Sequence, residues 1–487
     1  MYDSRCGIVM TTVRRICNII LVAFQASAAA PAFSQAPPAD ASAAIAHLMS
    51  QLHDRGQLNG EILVTQRKKT IYRGAFGPSG GSLGRTFTAD TPSCLASLSK
   101  PFTAAAVMML AERHRLSYDD RIAKYFPELP AALGAATIRQ LLNHTSGIPD
   151  YSDLNVEHPG MLNAEVLNSL RKVDKPLFPP GERYQYSNSG YVLLGLIVER
   201  VSGKPLSLYL QDEIFKPLSM KNSFVLTSEN QKTSAVARGY NAFGTADDYD
   251  EYITGDGGVY STVDDLIAFD QALQEHKLVK PQTLDEAFTP GPVRVGKTTY
   301  GFGWNIESDA SGKRVWHTGN TAGFRAFLEH RLDQEITVIM LTDGGNTKRV
   351  EINQAIQNIL AGRPYNLPKK SIAVALHEVI LRSSVEAGIA DYRKEKTTHA
   401  GEYDLDEGEL NALGYQLLYP DHRPGDAVRI FLLNAEEHPS SSNAFDSLAE
   451  AYQVMGDKAF ARKYYEAALQ RDHGNIHARS MLAKLQE

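Results

Sequence analysis

The sequence predicts an α/β fold in which a mainly antiparallel sheet is flanked by helices and a helical lobe, with an all-α repeat domain at the C-terminus. Two observations predict this fold. Strand-like segments lie near both ends of residues 40–365 with amphipathic helical segments between them, and short turns between adjacent strands favour antiparallel pairing. Beyond residue 371 the pattern is almost wholly helical and repeats at a spacing of 34 residues.

The elements of residues 40–365 follow in order and predict one domain. Two strands, Glu61–Thr65 and Thr70–Gly74, are joined by a polar turn. The helical segments after them include "SKPFTAAAVMML", then "NSGYVLLGLIVERVSG", which ends at Gly203, and then "VDDLIAFDQALQEH". Two strands about a tight turn, "FRAFLEHRLDQEITVIMLTDGG", and the helix "KRVEINQAIQNILAG" complete the domain.

The N-terminal segment, residues 1–34, is predicted to be a secretory signal peptide. Arg14 and Arg15 precede a short apolar run, and small residues follow it. The run is short for a membrane span of about 20 residues, although an uncleaved anchor stays open as an alternative, and Met10 is a second candidate start. We therefore expect an exported protein, periplasmic or secreted, with no stable membrane span after cleavage.

The C-terminal part consists of a predicted linker, residues 366–375, and a helical domain, residues 376–487. Small and aromatic residues recur 34 positions apart, a spacing that resembles tetratricopeptide repeats. The second copy departs from that pattern because His473 stands where proline is usual, and two copies are fewer than such stacks generally need. A protein partner is the expectation for this domain. The recurring pairs are Leu418 with Tyr452, Ala427 with Ala461, Phe431 with Tyr465, and Pro439 with His473.

Composition and motifs narrow the function classes. The 487 residues carry a net charge of −6, so no basic excess points to nucleic acid. The sequence has no H-E-x-x-H motif, no paired cysteines at metal-ligand spacing and no Walker-type phosphate loop. We predict neither a metal nor another cofactor.

The stretch "CLASLSKPFTAAAVMML" places Ser97 three residues before Lys100, so on a helix the two share one face. A serine hydroxyl needs a base to become a nucleophile. Lysine, with a usual pKa of about 10.4, serves as that base only if desolvation or a nearby cation lowers its pKa. The alternative is that Ser97 or Ser99 caps the helix and Lys100 points to solvent.

Two further short motifs are weak when each is taken alone. "YQYSNSGY" places Tyr186 and Asn188 before an amphipathic helix, where a phenol made acidic by an ammonium could relay a proton. The alternative is a tyrosine-rich turn with a capping residue. "VWHTGNTAGF" places His317 at the end of a predicted strand, and Gly319 would let a substrate backbone approach closely. A packed histidine at a strand exit is the alternative there.

Together, in this order and spacing, the three motifs resemble the serine β-lactamase and penicillin-binding superfamily. The likeness is to class C β-lactamases, D-alanyl-D-alanine carboxypeptidases and related esterases, over about residues 45–360. Flanking stretches carry it as well: "IRQLLNHTSGIPDY", "FPPGERYQYSNSGYVLLGLIVERVSG" and "GDGGVYSTVDDLIAF".

The resemblance implies a role for each matching residue of the first two motifs. Ser97 would be the acylated nucleophile, Lys100 and Tyr186 would share the general-base work, and Asn188 would bind the substrate amide. The implied reaction is acyl transfer without a cofactor.

The third motif, His317, Thr318 and Gly319, departs from the family pattern. The resemblance implies substrate binding there and an oxyanion hole made by the backbone N–H groups of Ser97 and Asn320. His317 stands where β-lactamases usually have lysine, and a histidine with a pKa near 6.5 is largely neutral at pH 7. We therefore expect an esterase or a D-amino-acid peptidase rather than a dedicated β-lactamase, and an anion-facing His317 that titrates near pH 6.5.

Three functions thus stay open at the sequence level. The first is an exported serine hydrolase acting on an ester or amide. The second is a true β-lactamase or penicillin-binding D-alanyl-D-alanine carboxypeptidase. The third, of another class, is an inert scaffold that binds proteins through its helical repeats.

Overall fold

The computed structural model describes residues 40–79, 86–88, 90–154, 156, 158–230, 236–247, 252–295, 298–309, 311–321 and 323–485. The predicted signal segment lies outside them. The strands are β1 (Gly60–Gln66), β2 (Lys69–Phe76), β3 (Ser93–Cys94), β4 (Phe224–Val225), β5 (Val259–Ser261), β6 (Arg294–Val295), β7 (Thr298–Tyr300), β8 (Asn305–Asp309), β9 (Gly312–Thr321), β10 (Phe324–Arg331), β11 (Ile336–Thr342), β12 (Lys370–Ser371) and β13 (Tyr403–Asp404).

The helices of the first region surround the sheet, and those of the second region follow it. They are α1 (Ala41–Asp54), α2 (Lys100–Glu112), α3 (Ala131–Gly134), α4 (Ile138–Leu142), α5 (Asn163–Leu170), α6 (Asn188–Ser202), α7 (Leu206–Leu210), α8 (Val263–Gln274), α9 (Pro281–Ala287), α10 (Arg349–Leu360), α11 (Ile372–Arg382), α12 (Val385–Thr398), α13 (Glu407–Leu418), α14 (Pro424–Glu437), α15 (Ser442–Val454), α16 (Lys458–Arg471) and α17 (Ile476–Lys484).

The main sheet has eight strands in the order β2-β1-β11-β10-β9-β8-β7-β6, and each neighbouring pair is antiparallel. β11 lies inside the sheet and is buried along its whole length. Its alternating side chains face two layers: Val338 and Met340 pack with α1 and α10, whereas Ile339 and Leu341 join the core that contains α2 and α8. The predicted fold class, an antiparallel sheet flanked by helices, is confirmed.

The helical lobe between β3 and β5 is built around α2 and α6, which pack against each other. All residues of α2 from Lys100 to Leu110 are buried, as expected for a helix that is apolar on every side. α6 begins where Ser187 Oγ accepts the N–H of Gly190, and it ends at Gly203 with φ of 76°. These two helices fix the positions of the first two sequence motifs.

The C-terminal helical region, α11–α17, has buried apolar residues of its own, and α13 with α14 and α15 with α16 pack as neighbouring pairs. In the predicted repeat, Ala427, Ala461, Phe431 and Tyr465 are all fully buried. No described helix combines the length and the apolar character that crossing a membrane requires.

Several contacts join the helical region to the first region, including a ring contact between Phe243 and His377 on α11, whose centroids are 5.0 Å apart. The buried side chain of Gln416 on α13 accepts a hydrogen bond from Asn241 at 2.8 Å and donates one to Thr245 at 3.2 Å. Asp404 on β13 forms an ion pair with Lys348, the residue before α10. The helical region is therefore attached at the end of the first region that carries the loop around residue 241 and the start of α10.

Candidate active site

Ser97 lies in a short 3₁₀ turn, Ala96–Ser99, that leads directly into α2. Ala96 has a positive φ of 46°, which is uncommon for a residue other than glycine and marks a tight turn. Ser99, the residue before α2, makes no capping bond; its hydroxyl accepts the N–H of Val259 instead. Lys100 has no exposed surface. The alternative of a capping serine beside a solvated lysine is therefore wrong.

Lys100 is surrounded by oxygen atoms. Its Nζ lies 3.0 Å from Ser97 Oγ, 2.8 Å from Asn188 Oδ1 and 3.0 Å from the carbonyl oxygen of Asp256. The amide and carbonyl oxygens only accept hydrogen bonds, so they take two N–H groups of Lys100. The third contact of the nitrogen is with Ser97 Oγ, and a neutral amine in this position would direct its lone pair at the Ser97 hydroxyl. Lys100 is thus positioned to receive the hydroxyl proton of Ser97.

The phenol of Tyr186 also lies beside Ser97, to which it forms a hydrogen bond. Lys100 Nζ is 4.8 Å from the centroid of the Tyr186 ring. Burial raises the pKa of Tyr186 above its usual value, and a hydrogen bond with Ser97 opposes that shift only in part. The expectation of a phenol made acidic by the ammonium is therefore wrong, because burial first, and then the charges of Asp256 and Asp150, raise the pKa of Tyr186. At neutral pH the phenol keeps its proton and is available as a proton donor.

His317 is only 2% exposed. Its Nδ1 lies 2.6 Å from the carbonyl oxygen of Thr318, so Nδ1 carries the proton and donates it, and Nε2 accepts from the Tyr300 hydroxyl at 2.8 Å. Burial first, and the charge of Lys100 second, lower the pKa of His317 to about 3. The expectation of an anion-facing ring that titrates near pH 6.5 is therefore wrong, because burial beside a cation keeps the ring neutral.

The strand that carries His317 has a free edge. β8 pairs with β9 only as far as Trp316, whereas β10 pairs with β9 as far as Thr321. Among the described strands, residues 317–321 therefore have a neighbour on one side only, and this stretch includes half-buried Thr318 and exposed Asn320. An extended substrate could pair with that edge.

Gly319 is required by the chain's own backbone. A Cβ atom at this position would lie 1.9 Å from the carbonyl oxygen of Leu95, two residues before Ser97. The sequence analysis assigned the space left by the missing Cβ atom of Gly319 to an approaching substrate, but the turn before Ser97 already occupies that space. The contact brings β9 directly against the serine turn, while Arg349 donates to Gly319 O at 2.7 Å and to Asn320 Oδ1 at 2.8 Å.

Sequence reasoning missed His144, which lies beneath the site. Its Nδ1 accepts the N–H of Ser187 at 3.2 Å, and its ring centroid is 4.2 Å from that of Tyr186 and 4.4 Å from that of Tyr300. Burial, and then the charge of Lys100, lower its pKa well below the usual value, so the ring is neutral. The signal was a polar histidine within "LLNHTSG", directly after an apolar helical segment.

Two aspartates were also missed. The carbonyl oxygen of Asp256 accepts from Lys100, and its side chain accepts from the Tyr151 hydroxyl at 3.0 Å. Burial raises the pKa of Asp256, while the charge of Lys100 opposes that shift. Asp150 accepts the N–H of Asn188 at 2.5 Å and so fixes the start of α6. The signal for the first was a lone carboxylate inside the glycine-rich "GDGG".

The structure thus brings Ser97, Lys100, Tyr186 and Asn188 together around one hydroxyl and places β9 beside them. The arrangement offers a nucleophile, an adjacent amine, a protonated phenol and an amide whose oxygen is already held. Within the described residues, no group of histidine, cysteine, aspartate and glutamate side chains could hold a metal ion.

Comparisons with known proteins point to one family. A family model described as Beta-lactamase matches residues 43–361. Penicillin-binding protein 4* of Bacillus subtilis (strain 168) is 32% identical over 351 residues, which cover 66% of this chain and 77% of that protein. A D-aminopeptidase of Brucella ovis is 26% identical over 333 residues, covering 64% of this chain and 61% of that protein. The crystal structure of a penicillin binding protein from Bacillus halodurans matches with a TM-score of 0.58 and 26% identity, covering 64% of this chain and 99% of that one.

Proposed function

This chain belongs to the beta-lactamase family of serine hydrolases, and from that premise we propose that it is exported and hydrolyses an ester or amide through an acyl-enzyme on Ser97. The observation that supports the proposal best is the contact set of Lys100. Its nitrogen reaches Ser97 Oγ at 3.0 Å while two fixed acceptors hold it from other directions.

In the proposed acylation step, Ser97 attacks the substrate carbonyl and the leaving group departs with a proton. Ser97 Oγ forms a bond to the substrate carbonyl carbon and gives its proton to Lys100. The carbonyl oxygen takes the electron pair of its double bond, and the backbone N–H groups of Ser97 and Asn320 stabilise it. The bond to the leaving group breaks when the double bond re-forms. The phenol of Tyr186 supplies the leaving atom with a proton and regains one from Lys100.

Deacylation uses water as the second nucleophile. A water molecule gives its proton to the same base, its oxygen bonds to the acyl carbon, and Ser97 leaves with a proton. Asn188 orients the acyl part, because Lys100 and the backbone contact from Asp150 hold its side chain and backbone in place.

The substrate class that we propose is an ester or the amide of a D-amino acid. The neutral His317 supports this choice, since it provides no permanent cation for a substrate carboxylate, and the relationship to a D-aminopeptidase agrees with it. A β-lactamase or penicillin-binding carboxypeptidase is the second candidate. It is favoured by the relative called penicillin-binding protein 4*.

An inert scaffold is the rival from another class. Its support is the helical region, which lies beyond the match to the family model and has helices that could hold a protein partner. Against it, the side chains around Ser97 are arranged for proton transfer.

Export is proposed from the N-terminal sequence alone. Two arginines before a short apolar run favour a cleaved signal segment. Mass spectrometry of the protein from whole cells and from the extracellular fraction would find a shortened N-terminus outside the cytoplasm. An intact Met1 or Met10 in all fractions would contradict cleavage.

Covalent labelling tests the catalytic proposal. A fluorescent fluorophosphonate or penicillin should label the full chain between pH 6 and 9, and Ser97→Ala should abolish labelling. Ser50→Ala, at an exposed serine of α1, is the matched control and should label like the wild type. A panel of nitrocefin, p-nitrophenyl acetate, D-alanine p-nitroanilide and a D-alanyl-D-alanine peptide then separates the substrate classes. Absence of label from both probes would favour the scaffold.

A further inference from the structure

A cavity of about 230 Å³ lies at the ends of β7 and β8. Three aromatic residues, Tyr184, Tyr300 and Trp316, line it together with Thr298 and Asn305. Asn305 pairs with Tyr300 on one side and with Trp316 on the other. Trp316 is the last residue of β9 that β8 covers, so the cavity opens where the free edge of β9 begins.

The wall of this cavity adjoins the catalytic residues. The Tyr300 ring centroid is 6.2 Å from that of Tyr186 and 5.8 Å from that of His317, and its hydroxyl donates to His317. Because Tyr186 also bonds to Ser97, the rings of Tyr186 and Tyr300 connect the nucleophile to the cavity, which lies on the side of the phenol.

That side belongs to the leaving group in the proposed reaction. Asn188, which would orient the acyl part, bonds to Lys100, whereas the cavity lies beyond Tyr186, which would protonate the leaving atom. A substrate that spans Ser97 along the free edge of β9 would therefore carry its leaving group toward the cavity.

The chemistry of the lining selects an uncharged group. Every described residue that lines the cavity is uncharged. Both ring nitrogens of the adjacent His317 are engaged, one with Tyr300 and one with Thr318. A carboxylate entering here would lose its hydration without meeting a described cation in the lining. An apolar ring would gain contact with aromatic side chains, and a cavity of about 150 Å³ already accepts benzene.

We propose that this cavity, the Tyr184 pocket, is the leaving-group subsite and that it takes an apolar or aromatic group in preference to one ending in a carboxylate. The inference rests on the proposed acyl-enzyme function and specifies its substrate. It distinguishes a hydrolase of neutral esters or amides from one that removes a C-terminal amino acid.

Three acetate esters test the pocket in the wild-type full chain: benzyl acetate, ethyl acetate and acetoxyacetate. All form the same acetyl-enzyme, so differences in kcat/KM report the leaving group. Burying a phenyl group should favour benzyl over ethyl acetate by about tenfold or more. Acetoxyacetate should be the poorest substrate. A benzyl-to-ethyl ratio near one, or a preference for acetoxyacetate, would overturn the inference.

Two substitutions at one position sharpen the test. Thr298→Trp fills the pocket and should bring the benzyl-to-ethyl ratio toward one, whereas Thr298→Arg adds a cation and should raise the relative rate for acetoxyacetate about fivefold or more. Leu208→Ala, at an exposed residue outside the site, should keep the wild-type ratios. If Thr298→Trp instead alters the choice between ethyl phenylacetate and ethyl acetate, the pocket serves the acyl group and the inference is wrong.

Labelling of Ser97 by a fluorophosphonate distinguishes failure of the subsite inference from failure of the proposed function. If wild type and variants label normally but the ester ratios do not follow the pocket, only the subsite is refuted. If the wild type takes no label and hydrolyses none of the esters, the proposed function fails and the subsite with it. A Thr298 variant that neither labels nor unfolds cooperatively is misfolded, and the wild-type ratios then decide.

Discussion

Two histidines on neighbouring strands of the sheet have opposite electrostatic surroundings. His317 on β9 and His330 on β10 are 2% and 7% exposed. Burial and the charge of Lys100 lower the pKa of His317 to about 3. Burial also acts to lower the pKa of His330, but the charge and hydrogen bond of Asp270 outweigh it, so that pKa is raised. Burial disfavours the charged form of both rings, and the neighbouring charge then either adds to that effect, as Lys100 does at His317, or outweighs it, as Asp270 does at His330.

The surrounding contacts follow the same division. Asp270 Oδ2 lies 2.9 Å from His330 Nδ1 and accepts the Thr337 hydroxyl at 2.8 Å, which makes a closed ion pair. His317 instead meets a phenol and a carbonyl oxygen and stays uncharged. At one end of the sheet His330 is paired with a carboxylate, whereas at the end beside Ser97 the ring of His317 contacts uncharged groups and lies near the charge of Lys100.

The largest expected effect comes from removing that amine. Lys100→Met should lower kcat/KM for p-nitrophenyl acetate by about 10³-fold or more, because it removes the proposed base of Ser97. Lys68→Met is the matched control, since Lys68 lies beside the His330 cluster and its ion pair with Glu275 is largely exposed. We expect less than a twofold change there. A Lys100 variant within tenfold of the wild type would assign the base to another group.

The second-largest expected effect is a loss of folding stability when the ion pair between Asp270 and His330 is removed. Asp270→Asn should lower the free energy of unfolding by about 2–4 kcal/mol at pH 6, because it leaves His330 buried without its counter-ion. Asp264→Asn, in an exposed pair with Arg73, should cost less than about 1 kcal/mol. Urea unfolding measures both variants. Equal losses would mean that the buried pair is no stronger than a surface pair.

The smallest expected effect is on the pH dependence of folding stability, to which His317 and His330 contribute in opposite directions. The folded-state pKa of His317 is depressed, so its contribution to stability is present above about pH 6.5 and is lost as pH falls toward 3. The folded-state pKa of His330 is raised, so its contribution is present below about pH 6.5 and is lost as pH rises through the folded pKa.

Two conservative variants measure those slopes. His317→Gln should reduce the loss of stability on acidification, by at most about 1.4 kcal/mol for each pH unit below 6.5. His330→Gln should cost more stability at pH 5.5 than at pH 8. Urea unfolding at several pH values gives both curves, and slopes that change in the same direction would contradict the assigned charge states.

Features that depend on residues close together in the sequence could be predicted from the spacing of those residues. The positions of Ser97 and Lys100 are three apart, so a short turn alone brings their side chains together, and the hairpin β1–β2 follows from alternation and a polar turn. The motifs also indicated the fold class and the family. The proposed roles of the motif residues stay predictions until the variants are measured.

Burial and long-range neighbours could not be predicted in the same way. The charge state of His317 depends on its burial and on Lys100, which is distant in sequence, and the raised pKa of Tyr186 depends on how completely other elements cover it. Gly319 is required by the carbonyl of Leu95, and a single sequence gives no sign of that contact. His144 and Asp256 were missed for the same reason.

Lys348 and Arg349 are consecutive, yet they bind opposite parts of the molecule. Lys348 pairs with Asp404 of the helical region, and Arg349 donates to Gly319 and Asn320 beside the serine turn. Two adjacent residues thus contact both regions, alongside the hydrogen bonds that Gln416 makes to Asn241 and Thr245. A substitution that moves Asp404 would therefore act within two residues of the side chain that holds Gly319 and Asn320 in place.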